Sequence, residues 1–136
     1  MKTQGFTLDT NIVTALIKKD KRVLISIKRA RDLGLDVTMN AITYYEIKRG
    51  LESIRRLKKI EEFENICHSL EILFIDEKNI LDHASSLWAN LKQRDLLIED
   101  ADILIASIAV AKGYILVSDG TDFERVPGLT VENWLR

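Results

Sequence analysis

Residues 103–111 hold a single polar side chain, Ser107, in an otherwise apolar run. A helix that is apolar on nearly every side is a buried helix. This one falls far short of the roughly 20 apolar residues a bilayer span requires. It predicts a central helix around which the other elements pack, with alanines that let neighbours approach closely. Two carboxylates, Asp100 and Asp102, stand at its N-terminal end. An acid there caps the helix or answers its dipole, which accounts for one of them. Asp102 already lies inside the apolar run, where a carboxylate is costly unless it is paired or holds a cation.

The rest of the chain alternates strand and helix patterns. Strand candidates are 6–8, 35–39, 71–75, the wholly apolar 114–117 and a short 129–131. Asp9 or Thr10 caps a first helix whose buried face is Ile12, Val13, Leu16 and Ile17. The basic segment 18–22 turns the chain. A second helix follows to about Leu33, with Val23, Leu24, Ile27 and Ala30 inward and Gly34 as its C-cap. Thr43 and Glu46 match a capping box, which predicts a helix starting there and ending near Gly50. A longer one covers 53–69. Asp76 is expected to cap a helix running to about Arg94, with Ile80, Ala84, Leu87, Trp88 and Leu91 inward. Gly113 stops the central helix. This alternation predicts an α/β domain with a mainly parallel sheet of four to five strands. Ligands of such sheets bind beyond the C-terminal strand ends, where the strand order reverses.

A length of 136 residues fits one domain, 1–136. The net charge of −1 excludes a global basic field, so any nucleic-acid contact must be local. Cys67 is the lone cysteine, which rules out an internal disulfide and fits a reducing, cytoplasmic setting. No signal segment or membrane span is expected.

Acids stand where the strand-end rule points. Asp9 ends the first strand, Asp119 follows the fourth, Asp102 opens the helix that feeds the fourth, and Glu46 lies early in the helix after the second. Each alone reads as a cap or dipole partner. Together, four carboxylates on one rim repel unless some are protonated or a cation sits between them. Mg²⁺ or Mn²⁺ suits such an all-oxygen site and suits phosphoryl chemistry. No Walker motif, Ser-His-Asp arrangement or zinc spacing is present, and neither His68 nor His83 lies at a strand end.

The ordered set 8–12, Glu46, 102–106, 117–119 and 123–129 resembles the PIN-domain ribonucleases, and among them the VapC toxins of bacterial toxin–antitoxin pairs. The resemblance spans essentially the whole chain. It implies a three-layer α/β/α fold and a Mg²⁺- or Mn²⁺-dependent endoribonuclease. The family's catalytic acids fall on Asp9, Glu46, Asp102 and Asp119, with Asp9, Asp102 and Asp119 as metal ligands. Thr10, Asn11, Ser118, Asp100 and Asp122 are expected to line the site. Residues 118–123 are one residue shorter than in many VapC toxins, which leaves Asp119 and Asp122 as rivals for the fourth position. Asp100 lies roughly 200° from Asp102 around an ideal helix, so the two should not share one ion. The resemblance also implies a cognate antitoxin protein, an RNA substrate and a homodimer.

Two other readings compete. A phospho-accepting receiver needs paired acids at its first strand, whereas only Asp9 stands there. A haloacid-dehalogenase-type phosphatase needs a second Asp where this chain has Asn11. A catalytically silent binding module of the same fold is the other rival. Lys48, Arg49, Arg55, Arg56, Lys58 and Lys59 read either as a solvated helix face or as a contact for RNA or antitoxin.

Overall fold

The computed structural model describes residues 4–136. Five strands, β1 (Gly5–Leu8), β2 (Asp36–Asn40), β3 (Glu71–Leu73), β4 (Tyr114–Val117) and β5 (Val131–Glu132), form one sheet in the order β3-β2-β1-β4-β5. Every pairing is parallel. The helices are α1 (Thr10–Ile17), α2 (Lys21–Asp32), α3 (Ala41–Ser53), α4 (Leu57–Ser69), α5 (Lys78–Gln93) and α6 (Asp100–Lys112), with a 3-10 turn at Asp122–Arg125.

Alternation along the strands sorts the core into two faces. Phe6 and Leu8 of β1, Val37 and Met39 of β2 and Val117 of β4 pack with Ile12, Val23, Ile27, Ile47 and Phe63 from α1–α4. On the opposite face Leu116 meets Leu87, Leu91, Ile103, Ile105, Ala106 and Ala109 of α5 and α6, while Tyr114 and Leu73 meet Ile80 and Ile108. The result is the expected α/β/α sandwich. The central helix is α6, with Ile105, Ala106, Ile108 and Ala109 wholly buried.

Two glycines hold positions where a side chain would be strained or obstructed. Gly113 ends α6 at φ 78, the left-handed cap conformation. At Gly5 a Cβ would stand 2.1 Å from the Asp36 carbonyl oxygen, so β1 and β2 approach closely only because no side chain intervenes.

Several local expectations are corrected. The cap of α3 is Asn40, whose side chain accepts from the Thr43 amide. Asn40 closes a strand and is as good a cap as threonine, so the helix starts two residues before Thr43 and Glu46 sits in its second turn. Thr43 is buried and no capping box forms. α3 runs through Gly50 to Ser53, and α4 begins only at Leu57, after Arg55 turns the chain at φ 51. Glu77, not Asp76, precedes α5, and Asp76 instead pairs with Lys112 at 2.8 Å. The third strand stops at Leu73. Leu24 and Trp88, expected inward, are exposed. No helix among the described residues is long and apolar enough to cross a membrane.

Candidate active site

The strand order turns back at β1, which lies between β2 and β4. The register Leu8↔Val117 sets the residues just past these strands side by side, and the Asp9 amide bonds to the Val117 carbonyl at 2.9 Å. Asp9 and Ser118 therefore meet at the switch point. Ser118 Oγ donates to Asp9 Oδ2 at 2.8 Å and accepts from the Gly120 amide at 3.0 Å. Asp9 Oδ1 accepts from the Thr10 amide at 2.8 Å, which makes Asp9 the cap of α1. The carboxylate is buried, at 7% exposure. Burial pushes its pKa above the usual 3.8. The bonds from Ser118 and Thr10 oppose that push, and the charges of Glu46 and Asp119 add to it.

Thr10 joins the second acid to the first. Its Oγ1 donates to Glu46 Oε1 at 3.0 Å, tying the start of α1 to α3. Asp102, in the first turn of α6, is half-buried, and its pKa is pushed up to about 6. Desolvation is the largest cause, followed by the charges of Asp9, Glu99, Glu46 and Asp122. A cleft of about 320 Å³ opens between these groups, walled by Asp9, Asn11, Glu46, Asp102 and Asp122.

The rivals for the fourth acid separate. Asp122 opens the 3-10 turn and faces the cleft with Asp102. Asp119 accepts from Asn11 Nδ2 at 2.6 Å and lines the neighbouring depression with Lys18 and Arg22. Asp100 is exposed and takes no part in the wall, unlike the expectation for it. The expected basic contacts are dispersed. Lys48 pairs with Glu64 at 2.5 Å, Arg49 lies over the Tyr45 ring, and Arg55 and Arg56 are exposed at the α3–α4 turn.

Residues 6–129 match the PIN domain family, which is most of the chain. The chain belongs to the PIN-domain family. It is 34% identical over 132 residues to Ribonuclease VapC2 of Haemophilus influenzae, covering 96% of this chain and 98% of that one. It is 31% identical to Ribonuclease VapC1 of Methanocaldococcus jannaschii, covering 88% and 79% of the two chains. Among solved structures, VapBC2 from Rickettsia felis bound to a promoter DNA fragment superposes with a TM-score of 0.89 at 25% identity, covering 96% of this chain and 98% of that one. VapBC from Salmonella typhimurium, also bound to DNA, superposes at 0.86 with 26% identity, covering 98% and 99%. This PIN domain is thus a VapC-type nuclease, and the receiver and dehalogenase-like readings fall away.

The donor set fits a hard divalent cation. The polar side chains lining the cleft are carboxylates, hydroxyls and one amide, all with oxygen atoms to offer, and the raised pKa of Asp102, set first by desolvation and then by neighbouring carboxylates, is one that a nearby cation would lower. Among the described residues no group of three or more histidine, cysteine, aspartate or glutamate side chains is already arranged to hold a metal ion. An open arrangement suits Mg²⁺, which keeps waters and completes its shell with substrate phosphate.

Proposed function

We propose that this VapC-type chain is a Mg²⁺- or Mn²⁺-dependent endoribonuclease acting as the toxin of a type II toxin–antitoxin pair in the cytoplasm, with residues 1–136 as its one domain. The observation that carries the metal-dependent reading is the facing of Asp9 and Asp102 across the cleft, both with raised pKa values.

In this reading Asp9 and Asp102 hold the cation, with Asp122 or Asp119 as a further ligand. A divalent cation held there would supply positive charge to offset that on the scissile phosphate and would acidify a bound water. Asp9 is fixed by Ser118 and by the Thr10 amide, so it offers its free lone pairs to the cleft without rearrangement. Glu46 is oriented by the Thr10 hydroxyl and receives a proton from the attacking water. Asn11 holds Asp119 and lines the cleft with its remaining polar surface.

A groove beside the acids supports the partner. It is mostly apolar, lined by Ile17, Ile47, Leu51 and Ile54, and it shares Thr10 and Glu46 with the acid cleft. An antitoxin tail seated there would cover the acids, and a basic side chain on it would neutralise them. Exposed Leu81 and Trp88 on α5 offer apolar surface for a homodimer. Light scattering should then report twice the 15.6 kDa chain mass, and a strict monomer at all concentrations would contradict the dimer.

The nuclease reading is tested by incubating the purified chain with RNA, with Mg²⁺ or Mn²⁺ and with a chelator. Cleavage with metal and none with chelator is expected. Cleavage unaffected by chelator would refute the metal-dependent reading.

A further inference from the structure

Three depressions lie next to one another along one edge of the molecule, each sharing a wall residue with the next. The acid cleft contains Asn11. The next depression shares Asn11 and adds Lys18, Asp20, Arg22 and Asp119. A third shares Arg22 and adds Ser26 and Arg29 of α2. Beyond the acid cleft three acids lie on this path, and each has a hydrogen-bonding partner; Glu132, in the third depression, accepts from Trp134 Nε1 at 3.2 Å. Asp119 accepts from Asn11, and both oxygens of Asp20 are taken by Arg22, through Nε at 3.1 Å and Nη2 at 2.7 Å. Arg22 Nη1 also donates to the Leu135 carbonyl, which holds the guanidinium in place.

The charge balance points the same way. Residues 18–32 carry seven basic and two acidic side chains, whereas residues 48–64 carry six basic and four acidic ones. Among the described residues no ion pair involves Lys18, Lys21 or Arg29. On the α3–α4 side Lys48 and Lys59 are paired with Glu64 and Glu62, and Arg56 and Lys59 border the apolar groove, as does Lys18, which stands between that groove and the basic edge.

From this continuity we infer that the RNA strand leaves the acid cleft past Asn11 and runs along the α1–α2 edge, its phosphates on Lys18, Lys21 and Arg29, while the α3–α4 side serves the protein partner. The inference rests on the nuclease reading. It divides the surface by chemistry: a basic edge for a polyanion and an apolar groove for a protein segment. A single strand can follow such an edge without sequence-reading contacts, because backbone charge supplies the affinity.

The test compares three charge-neutralised proteins. One carries Lys18→Gln, Lys21→Gln and Arg29→Gln. A second carries Arg55→Gln and Arg56→Gln. The control carries Lys78→Gln, Lys92→Gln and Arg94→Gln, on and just after α5. All the positions are on the surface, so melting curves should stay close to wild type. Binding of a fluorescein-labelled single-stranded RNA is followed by anisotropy in the Asp9→Asn background across a salt series, and cleavage kinetics are measured in the active background. The first protein should raise KM about tenfold, with the loss falling on KM rather than kcat. Its salt slope should fall by about 2, since each single-strand phosphate contact contributes about 0.7. The other two should change KM less than threefold. Equal losses in the first protein and the control, or a larger loss in the Arg55/Arg56 protein, would overturn the track. A wild-type chain that neither binds nor cleaves RNA would overturn the nuclease reading itself, and the track with it.

Discussion

Ser118 Oγ donates to Asp9 Oδ2 at 2.8 Å across the seam between β4 and β1, and this bond fixes the buried carboxylate on which the site is built. Ser118→Ala removes it and leaves the Gly120 amide without its partner. A hydrogen bond to a charged group contributes about 1.5–3 kcal/mol, so the melting temperature should fall. Asp9 loses a contact that opposes its raised pKa, so the acid limb of the cleavage profile should move to higher pH. A loss of about tenfold or more in metal affinity or turnover is expected for an outer-shell partner. Calorimetric metal titration checks it, and unchanged affinity would count against the bond's role.

Much of this arrangement was legible in the residues. The apolar run 103–111, the strand-ending Asp9 and the Val117-Ser118-Asp119 step place the sheet, the central helix and the switch point, because buried parallel strands and helices leave strong hydrophobic patterns. Cap assignments were weaker. Asn40 and Thr43 are both good caps by type, and only the strand's end decides between them. The Thr10–Glu46 bond and the turning of Asp119 toward Asn11 have no sequence period. They depend on how α1, α3 and the loop after β4 meet in space. The basic edge of α1–α2 was visible as a charge run, but its continuity with the acids is a tertiary property.

The raised pKa of Asp102 makes metal-free stability depend on pH. Its folded-state value is about 6 against an ordinary 3.8, so the folded state binds the proton more tightly than the unfolded one. The associated stability is fully present below about pH 4 and is lost as pH rises through 6. Asp102→Asn removes this dependence and should raise metal-free stability near pH 7, by less than the full shift implies because the side chain is only half-buried and solvent screens it. Thermal unfolding across pH 4–8 on both proteins, in chelator, checks the sign. A wild-type stability that shows no extra fall over the variant's in that window would contradict it. Metal binding at pH 6 should release protons, because the cation needs the ionised carboxylate.

Asp119 and Asp122 should separate in a paired substitution. Asp122 faces the cleft and interacts with Asp102, whereas Asp119 is engaged by Asn11 and looks toward Lys18 and Arg22. Asp122→Asn should weaken metal binding more than Asp119→Asn does. Metal titrations of the two variants decide, and a reversed order would return the fourth-ligand role to Asp119.

The most direct measurement pairs Asp102→Asn with Asp100→Asn, two substitutions of the same chemistry at one helix end. Asparagine is nearly isosteric and remains a competent helix-terminal residue, so neither protein should lose its fold. RNA cleavage with Mg²⁺ or Mn²⁺ should drop about 100-fold or more in Asp102→Asn, the scale of losing a principal electrostatic stabiliser, and stay near wild type in Asp100→Asn. The metal-induced rise in melting temperature, a consequence of binding only to the folded state, should vanish with Asp102→Asn alone. A folded Asp102→Asn protein that cleaves RNA at the wild-type rate and still gains stability from metal would contradict the account.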